Sequence, residues 1–260
     1  MNARTIGLFV FVLTVSLIAS AGSTCANSTI LSAAGSKLDF DFVAANGDNF
    51  YQFQAFAGRS YSVEVHEDYD DSNTPPLAVT VADSSSACGA LTSAAGTTDT
   101  SATEPALPSN ATRISVPAAA AGTYHVQVHN SDGTNGHYIR VTVADTTFFN
   151  ASWTTFGGNI TEWSWQNTSG QTIKGSIQAV DTQGKVIANI PALNFNIPPN
   201  TVVNKIIGPS FDVNVAANHG GFAVFTHDGP PGALTVSAFI ISLVNGQIVP
   251  SPFVTVRAGQ

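Results

Sequence analysis

Short runs in which every second residue is apolar recur along the chain, for example at residues 50–56, 61–65, 124–128 and 138–143. Such alternation places apolar side chains on one face of an extended strand and polar side chains on the other. Nowhere do apolar residues keep a spacing of 3.6 over three turns, so the pattern does not favour helices. The sequence therefore predicts an all-β protein built from half-buried strands.

The charged residues divide the chain near residue 145. Residues 27–145 hold 13 acids and 4 bases, a net charge of −9, whereas residues 146–260 hold 4 acids and 4 bases, a net charge of zero. This shift predicts two β-sandwich domains in tandem, residues 27–145 and 146–260. The overall net charge of −8 argues against nucleic acid as a partner, because binding to phosphates needs clustered Lys and Arg.

Residues 1–21 have the pattern of a signal peptide. A short start containing Arg4 precedes an apolar stretch at residues 6–18, and Ala19-Ser20-Ala21 matches a small-x-small cleavage site. The apolar stretch is shorter than the roughly 20 residues of a membrane-spanning helix, so we expect no transmembrane anchor. A buried N-terminal helix and a lipid anchor on Cys25 are the alternatives. We expect the protein to be secreted, extracellular or attached to the cell surface.

Two cysteines, Cys25 and Cys88, exclude a disulfide-dense scaffold and a zinc site with four cysteine ligands. Cleavage after Ala21 leaves both cysteines in the mature chain, where an oxidising compartment allows them to form a disulfide. Cleavage after Ala26 leaves Cys88 alone. The first alternative is favoured, and its disulfide has a stabilising role rather than a chemical one.

The first half contains motifs of a known family. These are Tyr51-x-Phe53, Ala57-Gly58-x-x-Tyr61, Leu77-x-Val79-x-Val81-x-Asp83, Gly136-His137-Tyr138-x-x-x-Val141 and, most specifically, Ala121-Gly122-Thr123-Tyr124-His125-Val126-x-Val128. Residues 40–145 thereby resemble the bacterial pre-peptidase C-terminal domain. The resemblance implies a jelly-roll β-sandwich of the kind appended to secreted proteases and other exported proteins. The second half resembles immunoglobulin-like or fibronectin-like accessory sandwiches through its length and its turns.

Motifs that carry catalysis are absent from the sequence. It has no G-x-S-x-G, no H-E-x-x-H, no P-loop and no G-x-G-x-x-G. His125 and His129 share the solvent face of one predicted strand, with Gln127 between them. They are candidate ligand-binding residues, and they become metal ligands if a third group such as His137 approaches; the alternative is an ordinary polar sheet face.

Tryptophans are the second group of candidate ligand-binding residues. Trp153, Trp163 and Trp165 cluster at the start of the second half, and an exposed aromatic row stacks on sugar rings in many carbohydrate-binding sandwiches. The favoured alternative is that these side chains fill the core, where each contributes about 2–3 kcal/mol by burial.

An acidic loop follows one predicted strand. Glu67, Asp68, Asp70 and Asp71 place four carboxylates within five residues. Calcium takes six to eight oxygen ligands, so these side chains form a candidate calcium site, the only cofactor that the sequence suggests. The alternative is a hydrated acidic loop that keeps the domain soluble, because the glycine-pinned spacing of an EF-hand is absent.

These features together predict an exported, non-catalytic binding or adhesion module of a bacterial cell surface or secretome, with a polysaccharide or an extracellular protein as its partner. A structural or assembly subunit of the cell surface is the main alternative, and a hydrolase without recognisable motifs is the third. Five N-x-[ST] sequons occur, at Asn27, Asn110, Asn150, Asn159 and Asn167. We expect them to be unmodified, since the resemblance is to bacterial proteins.

Overall fold

The computed structural model describes residues 22, 24–67, 77–82, 97–99, 111–187 and 193–255. Strands dominate these residues, and the helical segments among them are two short 3-10 turns, Cys25–Asn27 and Phe156–Gly158. The predicted all-β class is confirmed. Its cause is the alternation itself: in the strand Asp48–Ala55, buried and more exposed residues alternate along its length.

Two sheets face each other in the first half. Their strands are β1 (Thr29–Leu31), β2 (Ala34–Val43), β3 (Asp48–Ala55), β4 (Arg59–Glu67), β5 (Ala78–Ala82), β6 (Thr97–Asp99), β7 (Ala111–Ala118), β8 (Gly122–His129) and β9 (His137–Asp145). The four-stranded sheet has the order β1-β3-β8-β5, and the five-stranded sheet has the order β2-β9-β4-β7-β6. One core lies between them and contains Tyr51, Phe53, Tyr61, Val126 and Ile139. We call this unit the first sandwich.

Two five-stranded sheets follow in the second half. Their strands are β10 (Phe148–Thr154), β11 (Asn159–Asn167), β12 (Ile173–Asp181), β13 (Leu193–Ile197), β14 (Val202–Gly208), β15 (Val213–Asn214), β16 (Gly220–His227), β17 (Leu234–Ser242), β18 (Ile248–Pro250) and β19 (Phe253–Thr255). The orders are β13-β12-β16-β10-β19 and β15-β14-β11-β17-β18. A second core, separate from the first, includes Trp163, Trp165 and Phe225. We call this unit the second sandwich.

His227, at the end of β16, joins the two sandwiches. Its backbone carbonyl accepts hydrogen bonds from the hydroxyls of Ser60 and Thr146, at 3.3 and 3.0 Å. Its ring is buried and stacks on Phe148. Burial, assisted by the positive charge of Arg113, lowers the pKa of His227 to about 3, so the ring is neutral at physiological pH.

The N-terminal part of the described chain is attached to the first sandwich. Gly22 bridges to Phe50, and β1 pairs in parallel with β3. Cys25 is buried and disulfide-bonded, and the other cysteine of the predicted pair, Cys88, lies outside the described residues. The predicted signal peptide, residues 1–21, also lies outside them. Within the described ranges, no helix has the length and hydropathy needed to cross a membrane.

Candidate functional site

The outer face of the four-stranded sheet carries a band of polar side chains. On β8 the side chains of Tyr124, Val126 and Val128 enter the core, so His125 and His129 lie on the opposite, solvent-facing side. This is the orientation that the alternation predicts. Gln127, between the two histidines, shares their face.

Neighbouring strands extend this band. In the register of β3 against β8, Asp48 lies opposite His129, Phe50 opposite Gln127, and Gln52 opposite His125. These β3 residues therefore project from the same side of the sheet, because directly opposite residues share a face. On the other flank, Thr80 of β5 is in register with Gln127. We call the set the polar face; its members are Asp48, Phe50, Gln52, Gln54, Thr80, Thr123, His125, Gln127 and His129.

Hydrogen bonds between side chains hold the polar face in place. The carboxylate of Asp48 accepts one from Gln127 Nε2 at 2.8 Å, and the same oxygen lies 2.9 Å from His129 Nδ1. The hydroxyl of Thr80 donates to Gln127 Oε1 at 3.4 Å. Because these side chains restrain one another, the face offers preset donors and acceptors and loses little conformational entropy on binding.

The side chains of the polar face suggest a ligand. His125 contributes a partly exposed imidazole, although its Nδ1 is covered by the protein. Phe50 lies half-buried beside Gln127, which places an aromatic ring within a band of hydrogen-bonding groups. A ring surrounded by amides, an imidazole and a carboxylate matches a sugar, whose ring has an apolar face and hydroxyls at its edges.

The Asp48–His129 pair resembles a base and its orienting carboxylate. A nucleophile is the further requirement for covalent catalysis. Among the described residues, no serine, threonine or cysteine is hydrogen-bonded to the His129 ring. The arrangement as described can hold a hydrogen-bonding ligand.

His137 does not complete a metal site with His125 and His129. It begins β9 in the other sheet, and it is buried on the inner side. Its ring lies between two carboxylates, with Nδ1 at 3.6 Å from Glu67 Oε2 and Nε2 at 3.7 Å from Asp132 Oδ2. Within the described part of the chain, no group of three such side chains is arranged so that it could hold a metal ion.

Glu67 is the described member of the predicted calcium site. It ends β4, it is buried, and it lies opposite Ile139 in the register of β4 against β9. Asp41 of β2 lies opposite the same Ile139 from the other side and is also buried. The remaining predicted ligands, Asp68, Asp70 and Asp71, lie outside the described residues. Asp41 is thus a buried carboxylate at the end of the sandwich where the acidic segment begins.

Asp41 and Asp132 are each satisfied by donors of the protein. The carboxylate of Asp41 accepts hydrogen bonds from the Tyr51 hydroxyl and the Asn49 amide. Asp132 accepts from the hydroxyl and backbone N–H of Thr134 and from Asn135, and these bonds hold the pKa of its carboxyl far below the ordinary range. Both carboxylates are therefore integrated into the structure of this end of the first sandwich.

The three tryptophans fill the second core. Trp153, Trp163 and Trp165 are all exposed to 1 % or less and belong to the second core. Trp163 and Trp165 face inward from β11, and Trp163 Nε1 donates to the buried Asn150 side chain at 3.2 Å. Alternation correctly placed these two on one face, but it could not distinguish the inner face from the outer one. The core-filling alternative is the one that the structure supports.

Two of the five sequons are core amides. Asn150 and Asn167 have no exposed surface, and both side chains are hydrogen-bonded to backbone carbonyls, of Ser251 and of Gln171 respectively. A glycan on either would require removal of a buried hydrogen-bonding side chain from the folded protein. Their structural role explains why asparagine is needed at these positions.

Sequence reasoning missed most of the polar face. It selected His125 and His129 but not Asp48, Phe50, Gln52 or Gln54, which come from a different strand. The alternation of Gln52 and Gln54 with Tyr51 and Phe53 indicates a polar side of this strand. Only the register of β3 against β8 shows that this side is continuous with the histidines. Neither the models of known protein families nor the curated protein sequences include a match to this chain.

Proposed function

We propose that this protein is an exported, non-catalytic binding module that recognises a polysaccharide through the polar face of its first sandwich. The observation that carries the proposal is the combination of the Phe50 ring with hydrogen-bonding side chains from three adjacent strands, restrained by the contacts of Asp48. The leader-like residues 1–21 support export, and the motif at residues 121–128 supports a pre-peptidase C-terminal-like domain.

A polysaccharide fits this face better than an extracellular protein does. Protein partners commonly bind through apolar or aromatic anchors that become fully buried. The polar face instead offers one half-buried ring and many groups that both donate and accept hydrogen bonds. Sugar hydroxyls have the same dual character, and each well-placed hydrogen bond adds about 1 kcal/mol.

The test begins with a glycan array and a matrix-protein array probed with the purified protein, followed by titration calorimetry with the strongest glycan. We expect Gln127→Ala to weaken binding by about tenfold to a hundredfold, because it removes an amide and releases the restrained Asp48. His125→Ala should weaken binding as well, since it removes a partly exposed imidazole from the polar face.

His66→Ala is the matched control. His66 is a partly exposed histidine on β4, in the other sheet of the same sandwich, so its removal should leave binding unchanged. A blank glycan array with strong binding to a matrix protein would reassign the ligand class. Blank results on both arrays would refute the binding function and favour the structural subunit.

A further inference from the structure

The second sandwich has an apolar area on the outside of one sheet. In β17, Ala238 is buried in the core, so Phe239 and Ile241 project outward. Ile241 lies opposite Ile160 of β11 on one side and opposite Ile248 of β18 on the other. Apolar side chains therefore form a row across three adjacent strands.

Residues at both ends of this row enlarge it. Beyond Ile160, two apolar side chains cover Gly208. A Cβ atom added to this glycine would lie 2.7 Å from the Ile160 side chain and 3.1 Å from the Phe211 side chain. Beyond Ile241, the turn between β17 and β18 presents Leu243 and Val244, which are 58 % and 79 % exposed. Ile248 is 60 % exposed. We call Phe211, Phe239, Ile241, Leu243, Val244 and Ile248 the apolar patch.

The apolar patch is large enough for an interface. Taking about 150–200 Å² for each side chain, its exposed fractions leave on the order of 500 Å² of apolar surface in contact with water. A stable homodimer buries about 800 Å² per subunit, of which about 65 % is apolar, or on the order of 500 Å². Glu162 is in register with Phe239, two residue pairs along the strands from the Ile160–Ile241 pair, so a carboxylate borders the patch.

Charge favours a second copy as the occupant. The patch itself is uncharged, and the half of the chain that contains it has a net charge of zero, whereas residues 27–145 carry −9. The carbonyl of Gly158 accepts a hydrogen bond from the Leu243 N–H, and Gly158 is near the Gly220 end of β16. His227, at the opposite end of β16, contacts the first sandwich. The eight residues of β16 span about 25 Å, so the Leu243 end of the patch is far from the contact with the acidic first sandwich.

We propose that the apolar patch is the interface of a homodimer in which two second sandwiches pack face to face. Pairing by face rather than by addition of a strand fits the edge strand β18, which has only three residues and ends in Pro250, a residue without a backbone donor. A twofold arrangement brings the same apolar residues of both copies together.

Sedimentation velocity on protein produced from the full-length coding sequence, over about 1–100 µM, tests the proposal. We expect a concentration-dependent dimer. Ile248→Lys and Leu243→Lys should each raise its dissociation constant by at least about tenfold, since each buries a charge in the apolar interface. Both side chains are exposed in the single chain, and unchanged melting temperatures of the variants will show that the fold is intact.

Ile30→Lys is the control, because Ile30 is 77 % exposed but lies on the first sandwich; this variant should dimerise like the parent. A parent protein that stays monomeric throughout the range overturns the proposal. So does a dimer that survives both patch variants with their folds intact. A monomer that co-sediments with phosphatidylcholine vesicles, and loses this binding in Ile248→Lys, would assign the patch to a lipid surface and likewise overturn it.

Discussion

The buried His227 makes the stability of the protein depend on pH between neutrality and pH 5. Its pKa is about 3 in the folded state because burial, and secondarily Arg113, disfavour the charged ring. In the unfolded chain the pKa returns to about 6.5. Below pH 6.5 the unfolded state therefore binds a proton that the folded state does not bind, so the free energy of unfolding falls as the pH decreases.

The magnitude follows from this difference. The free energy of unfolding falls by about 1.4 kcal/mol for each pH unit between the two pKa values, and its total decrease between pH 7.5 and pH 5 is about 2 kcal/mol. At pH 5 the folded-state ring is still neutral, so this figure is governed by the unfolded-state pKa. The loss would continue until the pH approached 3, where the buried ring itself becomes protonated.

Urea unfolding at pH 7.5, 6 and 5, on the parent protein and on His227→Gln, measures the effect. Glutamine does not titrate, and the comparison cancels the contributions of the acidic residues that both proteins share. We expect the parent to lose about 2 kcal/mol more than the variant between pH 7.5 and 5, although the variant is less stable at pH 7.5 because it lacks the ring stacked on Phe148 and Phe225. Equal losses in the two proteins would refute the assignment of a neutral, buried histidine.

Two further predictions concern the second core and the acidic segment. Asn150→Ala should lower the free energy of unfolding by about 2–4 kcal/mol in urea titrations, because it leaves Trp163 Nε1 and the Ser251 carbonyl without their buried partner. Asn204 is exposed, so Asn204→Ala should change the free energy of unfolding by less than about 0.5 kcal/mol. Similar values for the two variants would contradict the hydrogen bonds assigned to Asn150. If residues 67–71 bind calcium, millimolar calcium at about 100 times the dissociation constant should raise the free energy of unfolding by about 2.7 kcal/mol. The melting temperature should then rise by on the order of 10 °C relative to that in chelator, and Asp68→Asn should remove this rise. Coincident melting curves would show that the acidic segment is only hydrated.

Local patterns in the sequence were sufficient for the type of element and for the relative orientation of neighbours in one strand. Alternation identified β3, β8 and β9 and placed His125 with His129, because side chains of an extended chain point to opposite sides in turn. Pro250 and Pro252 lack a backbone donor and so favour an edge position for the strand that follows them, and β19 is at the edge of its sheet. These inferences depend only on backbone geometry within a few residues.

Facts that depend on pairing required the tertiary structure. Asp48 and His129 are 81 positions apart, and only the register of β3 against β8 brings their side chains to 2.9 Å. The inner side of β11 depends on which sheet covers it, so alternation alone favoured the core for Trp163 only by residue type and left a sugar site open. The burial of His227 depends on contacts with Ser60 and Thr146 of the other half. Strand alternation is a local consequence of backbone geometry, whereas burial and proximity are set by distant segments that one strand's sequence does not specify.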